Sequence, residues 1–213
     1  MKLKIQGIRG RLGTSIAEIA GKDAFIELTE TAFDVALDVS SPEGTRTILN
    51  QCLASKQPLV IGTTGHNPKE LQFIEEAATK IPILQMSNFS LGIEWLRKSL
   101  ASLFALFGKG YIDIIEYHHH LKKDTPSGTA IHIQTMIHSL SKDSLCTIHS
   151  VRQPDLIGMH QLIMTFDQEQ IEITHRALSR KAYATGAIQA VKFLYKKPPG
   201  KYTAKDLYAT YSH

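Results

Sequence analysis

Cysteine is scarce in this 213-residue chain. Its two copies, Cys52 and Cys146, lie in unrelated segments and form no CxxC pair. A single disulfide is possible on paper, but two plain cysteines in a chain of this size fit a reducing compartment. Long apolar runs are missing as well. The most apolar helical stretch, around Leu96–Phe107, contains Arg97 and Lys98 and is too short to cross a bilayer. The opening MKLKIQGIRG has no extended apolar leader, so a soluble cytoplasmic protein is expected. There is little excess charge of one sign: 24 Lys+Arg against 20 Asp+Glu gives +4. Without an aromatic RNP motif or a cysteine-histidine finger, that balance argues against nucleic acid. Histidines are plentiful, but none shows HxxxH or HExxH spacing with a carboxylate partner, so no metal is expected. Internal repeats, low-complexity segments and linkers are absent too.

What is present alternates. Short apolar runs at Leu3–Ile8, 33–39, 58–61 and 81–86 are separated by helical patterns after Gly13, at 43–56 and at 68–80. This spacing predicts a parallel α/β sheet. The pattern then changes. A long helix at about 91–107 leads to a strand at 112–119 and a helix at 129–140. The runs CTIHSVR, HQLIMTF and QIEITHR follow, the last two reading as an antiparallel hairpin. A helix at 181–196 with an Ala/Ile/Val stripe returns the chain. The expected organisation is a shortened Rossmann-like parallel domain, residues 1–90 and 181–213. Residues 91–180 form an α+β substrate and oligomerisation domain with a mixed sheet.

Four segments could carry chemistry. Gly7-Ile-Arg-Gly10-Arg-Leu-Gly13 is a strand-turn-helix with glycines three apart, which suits either a pyrophosphate on a helix N-terminus or a plain tight turn. Gly62-Thr63-Thr64-Gly65 follows a buried strand, where open α/β sheets bind ligands, though Gly and Thr are ordinary turn residues too. Ser87-Asn88-Phe89-Ser90 closes the next strand and serves equally as a helix cap. Tyr117–Ala130, YHHHLKKDTPSGTA, gathers three histidines and two lysines before a Pro-Ser-Gly turn. In a strand, His118 and His120 point one way and His119 the other, so the triplet is not one metal cluster. The turn offers backbone amides at a helix N-terminus with Lys122 and His119 beside it. A small dicarboxylate explains that composition better than a solvated loop does.

These segments together resemble the dihydrodipicolinate (4-hydroxy-tetrahydrodipicolinate) reductase family. The family's E-x-H-H-x-x-K-x-D-x-P-S-G-T signature is matched by Glu116, His118, His119, Lys122, Asp124, Pro126, Ser127, Gly128 and Thr129. GIRGRLG, DVALDV, GTTG, NFSLGI, HSVR, EITHRALSR and PPGKYTAKDL also match, in order, from Lys4 to Leu207. The resemblance implies hydride transfer from NADH or NADPH to a cyclic imine dicarboxylate in diaminopimelate and lysine biosynthesis. By position, His118 would act as general acid/base and Lys122 would deliver a proton. His119, Gly128 and Thr129 would hold a substrate carboxylate. Gly7, Ile8, Arg9, Gly10, Arg11 and Leu12 would cradle the pyrophosphate. Gly62, Thr63, Thr64, Met86, Ser87, Asn88 and Phe89 would border the nicotinamide. The family also implies a homotetramer built through the substrate domain.

The departures are specific. Between Gly13 and residue 33 there is room for one helix, so the family's second strand and its crossover helix are expected to be missing. Those elements read the adenosine ribose, and weak discrimination between NADH and NADPH is the consequence. Pro154 and Met159 replace a Gly and a Glu, and Val39-Ser40 stands at the family's Phe-Thr. Two rivals are a metabolite sensor on the same fold, which would not need a proton donor, and a metal-dependent hydrolase using the histidine run.

Overall fold

The computed structural model describes residues 1–122, 124–154 and 156–209. The chain divides into two compact units, residues 1–90 with 180–213, and residues 91–179. The first begins with β1 (Lys2–Gln6), α1 (Arg11–Ala20), β2 (Glu27–Leu28), β3 (Val35–Asp38) and α2 (Pro42–Ser55). It continues with β4 (Leu59–Ile61), α3 (Pro68–Ala78) and β5 (Pro82–Gln85). The second contains α4 (Leu91–Phe107), β6 (Tyr111–His119), α5 (Gly128–Leu140), β7 (Leu145–Gln153), β8 (Met159–Phe166) and β9 (Glu169–Arg176). The chain then re-enters the first unit through α6 (Lys181–Leu194), β10 (Gly200–Tyr202) and α7 (Ala204–Ala209).

In the first unit six parallel strands run in the order β10-β5-β4-β3-β1-β2. The strand cores are apolar on consecutive residues because both faces are covered. Leu3, Ile5, Leu37, Val60 and Leu84 pack with Ile16 of α1 and the Ala184/Ala187/Val191 stripe of α6. Ala36, Leu59, Ile61 and Ile83 pack on the other face with Ile48, Leu49 and Ile74 of α2 and α3. The helices start where their caps say. Ser41 accepts from Gly44 N–H ahead of Pro42, and Asn67 and Glu70 form a reciprocal capping box ahead of α3.

One expectation is corrected here. The second strand is present: Glu27 and Leu28 pair in parallel with Lys2 and Leu3. It escapes sequence reading because two exposed residues at a sheet edge have no periodicity to detect. The crossover helix is indeed missing: six residues, 29–34, join β2 directly to β3. The closing segment also adds β10 to the sheet edge beyond β5.

The second unit is a mixed four-stranded sheet, β7-β6-β8-β9, with β6 parallel to β7 and antiparallel to β8. Strand β6 alternates strictly. Ile112, Ile114, Glu116 and His118 face inward, while Tyr111, Asp113, Ile115 and Tyr117 lie on the other face. Ile112 and Ile114 join a core with Leu96, Leu100 and Phe104 of α4, Ile133 and Ile137 of α5, and Leu162 and Met164 of β8. The same register therefore carries two polar side chains, Glu116 and His118, onto the buried face at the strand's end.

Candidate active site

Glu116 is fully buried and His118 nearly so. The His118 Nδ1–H donates to one Glu116 oxygen in a very short contact. The other oxygen accepts from Arg152 Nη2 at 2.8 Å and from the Ser127 N–H at 3.2 Å. Burial would push the Glu116 carboxyl up, but hydrogen bonds from Arg152, Ser150 and His118 hold it down at about 2. Glu116 is thus an anion with every neighbour donating to it. Because it is ionised, Nδ1 of His118 carries the proton and Nε2 is left for other chemistry. Burial lowers the His118 pKa, the Glu116 carboxylate works against that, and the charges of Lys122 and Arg152 lower it further.

Sheet register explains why these groups meet. Arg152 of β7 is the cross-strand partner of His118, and His160 of β8 is the partner of Glu116. The His160 ring packs edge-on to His118 with centroids 5.3 Å apart, and His175 of β9 lies 6.4 Å beyond it. His160 is almost wholly buried. Burial, with the nearby charges of His118 and His175, drives its pKa down to about 3, so it stays neutral. Its Nε2 meets the Ser127 hydroxyl at 3.3 Å, and Ser127 in turn caps α5 by accepting from Ala130 N–H. Arg152 also donates to the Asp124 carbonyl at 2.8 Å and to Thr125 Oγ1, clasping the connection from β6 to α5.

The Lys122 ammonium lies 2.8 Å from Asp124 Oδ1, and Asp124 Oδ2 accepts from the Gly128 N–H at 3.3 Å. Proximity to Lys122 keeps the Asp124 carboxyl below its ordinary value against the opposing effect of burial. A Cβ on Gly128 would meet open space, and Thr129 is half-buried beside it. Of the residues singled out from sequence, His118, Lys122 and Gly128 therefore share one cluster. His119 lies on the opposite face of β6. His120 is a correction: it sits past the strand's end in an exposed turn, and so does not join His118. Glu116, Arg152, Ser127 and His160 were not assigned roles from sequence. Glu116 and Ser127 lie in the matched signature, and Arg152 ends the matched HSVR segment. Arg152 and His160 reach the cluster through strand pairing between distant segments.

The glycine segments occupy the first unit. Gly7 has φ +89°, and a Cβ there would lie 2.5 Å from the Val39 carbonyl oxygen. A Cβ on Gly13 would lie 2.1 Å from the Gly7 carbonyl oxygen, so α1 starts tight against the turn. Its N-cap, Gly10, provides no side-chain cap, and the first turn holds no acidic residue. Arg9 and Arg11 are exposed beside it. An uncapped helix N-terminus at the end of β1, flanked by two arginines, fits a pyrophosphate. Ile8 and Leu12 pack their side chains against the core. A groove of about 140 Å³ runs from Ile8 along Lys4 to Thr29 and Glu30.

Phe89 is buried against two glycines: a Cβ on Gly62 would strike its ring at 2.4 Å, and one on Gly186 of α6 would strike its carbonyl oxygen at 1.8 Å. The Asn88 side chain accepts from Ser90 N–H at 2.7 Å. Thr63, Thr64, Met86 and Ser87 line one cavity of about 370 Å³. Among the described residues no group of three His, Cys, Asp or Glu could hold a metal, and no helix is long and apolar enough to cross a membrane.

Comparison with known proteins places this geometry. Family models described as "Dihydrodipicolinate reductase, N-terminus" and "Dihydrodipicolinate reductase, C-terminus" match residues 22–89 and 92–208. A 4-hydroxy-tetrahydrodipicolinate reductase from Alkaliphilus oremlandii is 35% identical, covering 97% of this chain and 98% of the relative. One from Bdellovibrio bacteriovorus is 33% identical, covering 97% and 96%. Among solved structures, a dipicolinate-bound dihydrodipicolinate reductase from Paenisporosarcina sp. TG-14 shares the fold. Its TM-score is 0.78 at 22% identity, over 97% of this chain and 98% of that one.

Proposed function

This chain belongs to the dihydrodipicolinate reductase family, and from that premise we propose which of its residues carry the reaction. The protein is an NAD(P)H-dependent oxidoreductase that reduces 4-hydroxy-tetrahydrodipicolinate to tetrahydrodipicolinate in diaminopimelate and lysine biosynthesis. A bound reduced nicotinamide supplies the hydride. Gly7, Ile8, Arg9, Gly10, Arg11 and Leu12 hold its pyrophosphate. Gly62, Thr63, Thr64, Met86, Ser87, Asn88 and Phe89 border its nicotinamide end.

The observation that carries the catalytic assignment is the buried Glu116–His118 pair with Lys122 beside it. His118, neutral with Nδ1 fixed on Glu116, exchanges protons through Nε2, and Lys122 delivers a proton to the substrate ring. A substrate carboxylate takes over the Gly128 N–H now engaged by Asp124, with Thr129 beside it. The structural relative holds dipicolinate, a planar dicarboxylate of the same outline. We assign a homotetramer built through the open face of the mixed sheet, where Tyr111 and Leu145 are two-thirds exposed.

An absorbance assay with enzymatically generated substrate tests the assignment. Lys122→Ala and His118→Gln should each lower kcat by about 10²–10⁴-fold, the usual worth of a positioned proton donor. Cofactor affinity should stay within about threefold. Near-wild-type turnover in either variant removes that residue from the mechanism.

A further inference from the structure

What holds the Gly62–Gly65 loop in shape bears directly on the cofactor, and this inference rests on the reading that the loop borders the nicotinamide. Asp38 closes β3 and is completely buried. Its Oδ1 accepts from the Ser40 hydroxyl in a very short contact and from the Ser40 N–H at 3.2 Å. Its Oδ2 accepts from the Thr45 hydroxyl at 2.5 Å. The Thr45 hydroxyl is the donor in that contact, so its proton points at Asp38. The Thr45 oxygen is then free to accept the His66 Nε2–H, 2.9 Å away. His66 is the residue that follows the loop.

The other end of the loop is tied to the same place. Gly62 N–H donates to the Asp38 carbonyl at 2.8 Å, and the Ser40 N–H also reaches Thr63 Oγ1 at 2.9 Å. Gly65, at φ +85°, lets the chain turn between these anchors. A buried carboxylate is tolerated because its oxygens are hydrogen-bonded. The loop is thus gripped at Gly62, Thr63 and His66, and each grip leads back to one side chain or its backbone. An amide at position 38 would donate to one hydroxyl, reverse its proton and set it against the His66 N–H.

We propose that Asp38, acting through Ser40, Thr45 and His66, is the positioning residue that shapes the Gly62–Gly65 loop for the nicotinamide end of the cofactor. It touches no reacting atom.

Steady-state kinetics on the full-length enzyme test this. Asp38→Asn and Thr45→Val should raise the KM for NADH at least tenfold. The kcat at saturating NADH should stay within about threefold and the Kd for dipicolinate within about twofold. Thr45→Ser, which keeps the hydroxyl, should restore the NADH KM to within about twofold of wild type. If Asp38→Asn fails to fold, Thr45→Val and His66→Ala carry the test, with melting curves confirming the fold. Thr64→Glu, which places a carboxylate in the loop itself, is the reference. Should it leave the NADH KM unchanged, the cofactor reading of the loop is wrong. Should it raise that KM while folded Thr45→Val and His66→Ala do not, the positioning role of Asp38 is overturned. A lowered melting temperature with an NADH KM within twofold overturns it equally.

Discussion

At the scale of single residues, the proposed catalytic cluster turns on one buried anion. Glu116 raises the pKa of His118 through hydrogen bond and charge, opposing the larger effect of burial. Glu116→Gln keeps the shape and removes the charge. The acid limb of the kcat/KM profile should then move to lower pH, and kcat should fall about 10²-fold as His118 loses its fixed tautomer. An unchanged profile and kcat would show that Glu116 merely fills space. His160 supplies a stability prediction. Its folded pKa, about 3, lies below the ordinary 6.5, so below pH 6.5 the unfolded chain binds more protons than the folded one. Its contribution is complete above pH 6.5 and is lost as pH falls towards 3. The melting temperature should therefore drop between pH 7 and pH 5, and His160→Gln should flatten that drop. Parallel curves for the two proteins would refute the assignment.

At the scale of elements, α6 packs tightly on the segment after β5: a Cβ on Gly186 would lie 1.8 Å from the Phe89 carbonyl oxygen. Gly186→Ala should cost about 1–3 kcal/mol, the usual penalty for overpacking a core. It should also raise the cofactor KM, because Phe89 packs on Gly62. Calorimetry and NADH titration read the two effects separately. A melting temperature within a degree of wild type would show that the helix has room to move. Strand β6 is the corresponding element of the second unit, its inward face running from isoleucine into Glu116 and His118.

At the scale of the whole molecule, the shortened sheet edge is expected to govern cofactor choice. The short β2 forms one wall of the groove that runs past Ile8, and that wall brings Glu30 beside Lys4. The Lys4 ammonium is itself bonded to the Glu30 carbonyl oxygen at 2.9 Å. With one charge of each sign at the groove, neither a 2′-hydroxyl nor a 2′-phosphate is strongly favoured. The kcat/KM values for NADH and NADPH should differ by less than about tenfold, roughly 1.4 kcal/mol. Glu30→Gln should shift the ratio towards NADPH and Lys4→Met towards NADH. A hundredfold native preference, or shifts in the same direction, would contradict this account.

The chain by itself determined its periodic elements and its signature. Strand β6, helices α4 and α5 and the parallel alternation were legible because each carries a local period of two or about 3.6, bounded by turn residues. Gly7, Gly62, His118 and Lys122 stood out because a spacing or a neighbouring turn marked them. The rest depended on pairing across long stretches of chain. Two-residue β2 and three-residue β10 exist because a sheet edge offers hydrogen bonds to whatever lies beside it, and no local pattern announces that. Arg152 and His160 reach Glu116 and His118 through strand register, and Thr45 links Asp38 to His66 through the folding of two βα turns together. Those contacts decide which carboxylate is buried, which imidazole stays neutral and which loop is held still. Desolvation and hydrogen bonding are properties of surroundings, and the tertiary structure alone supplies the surroundings.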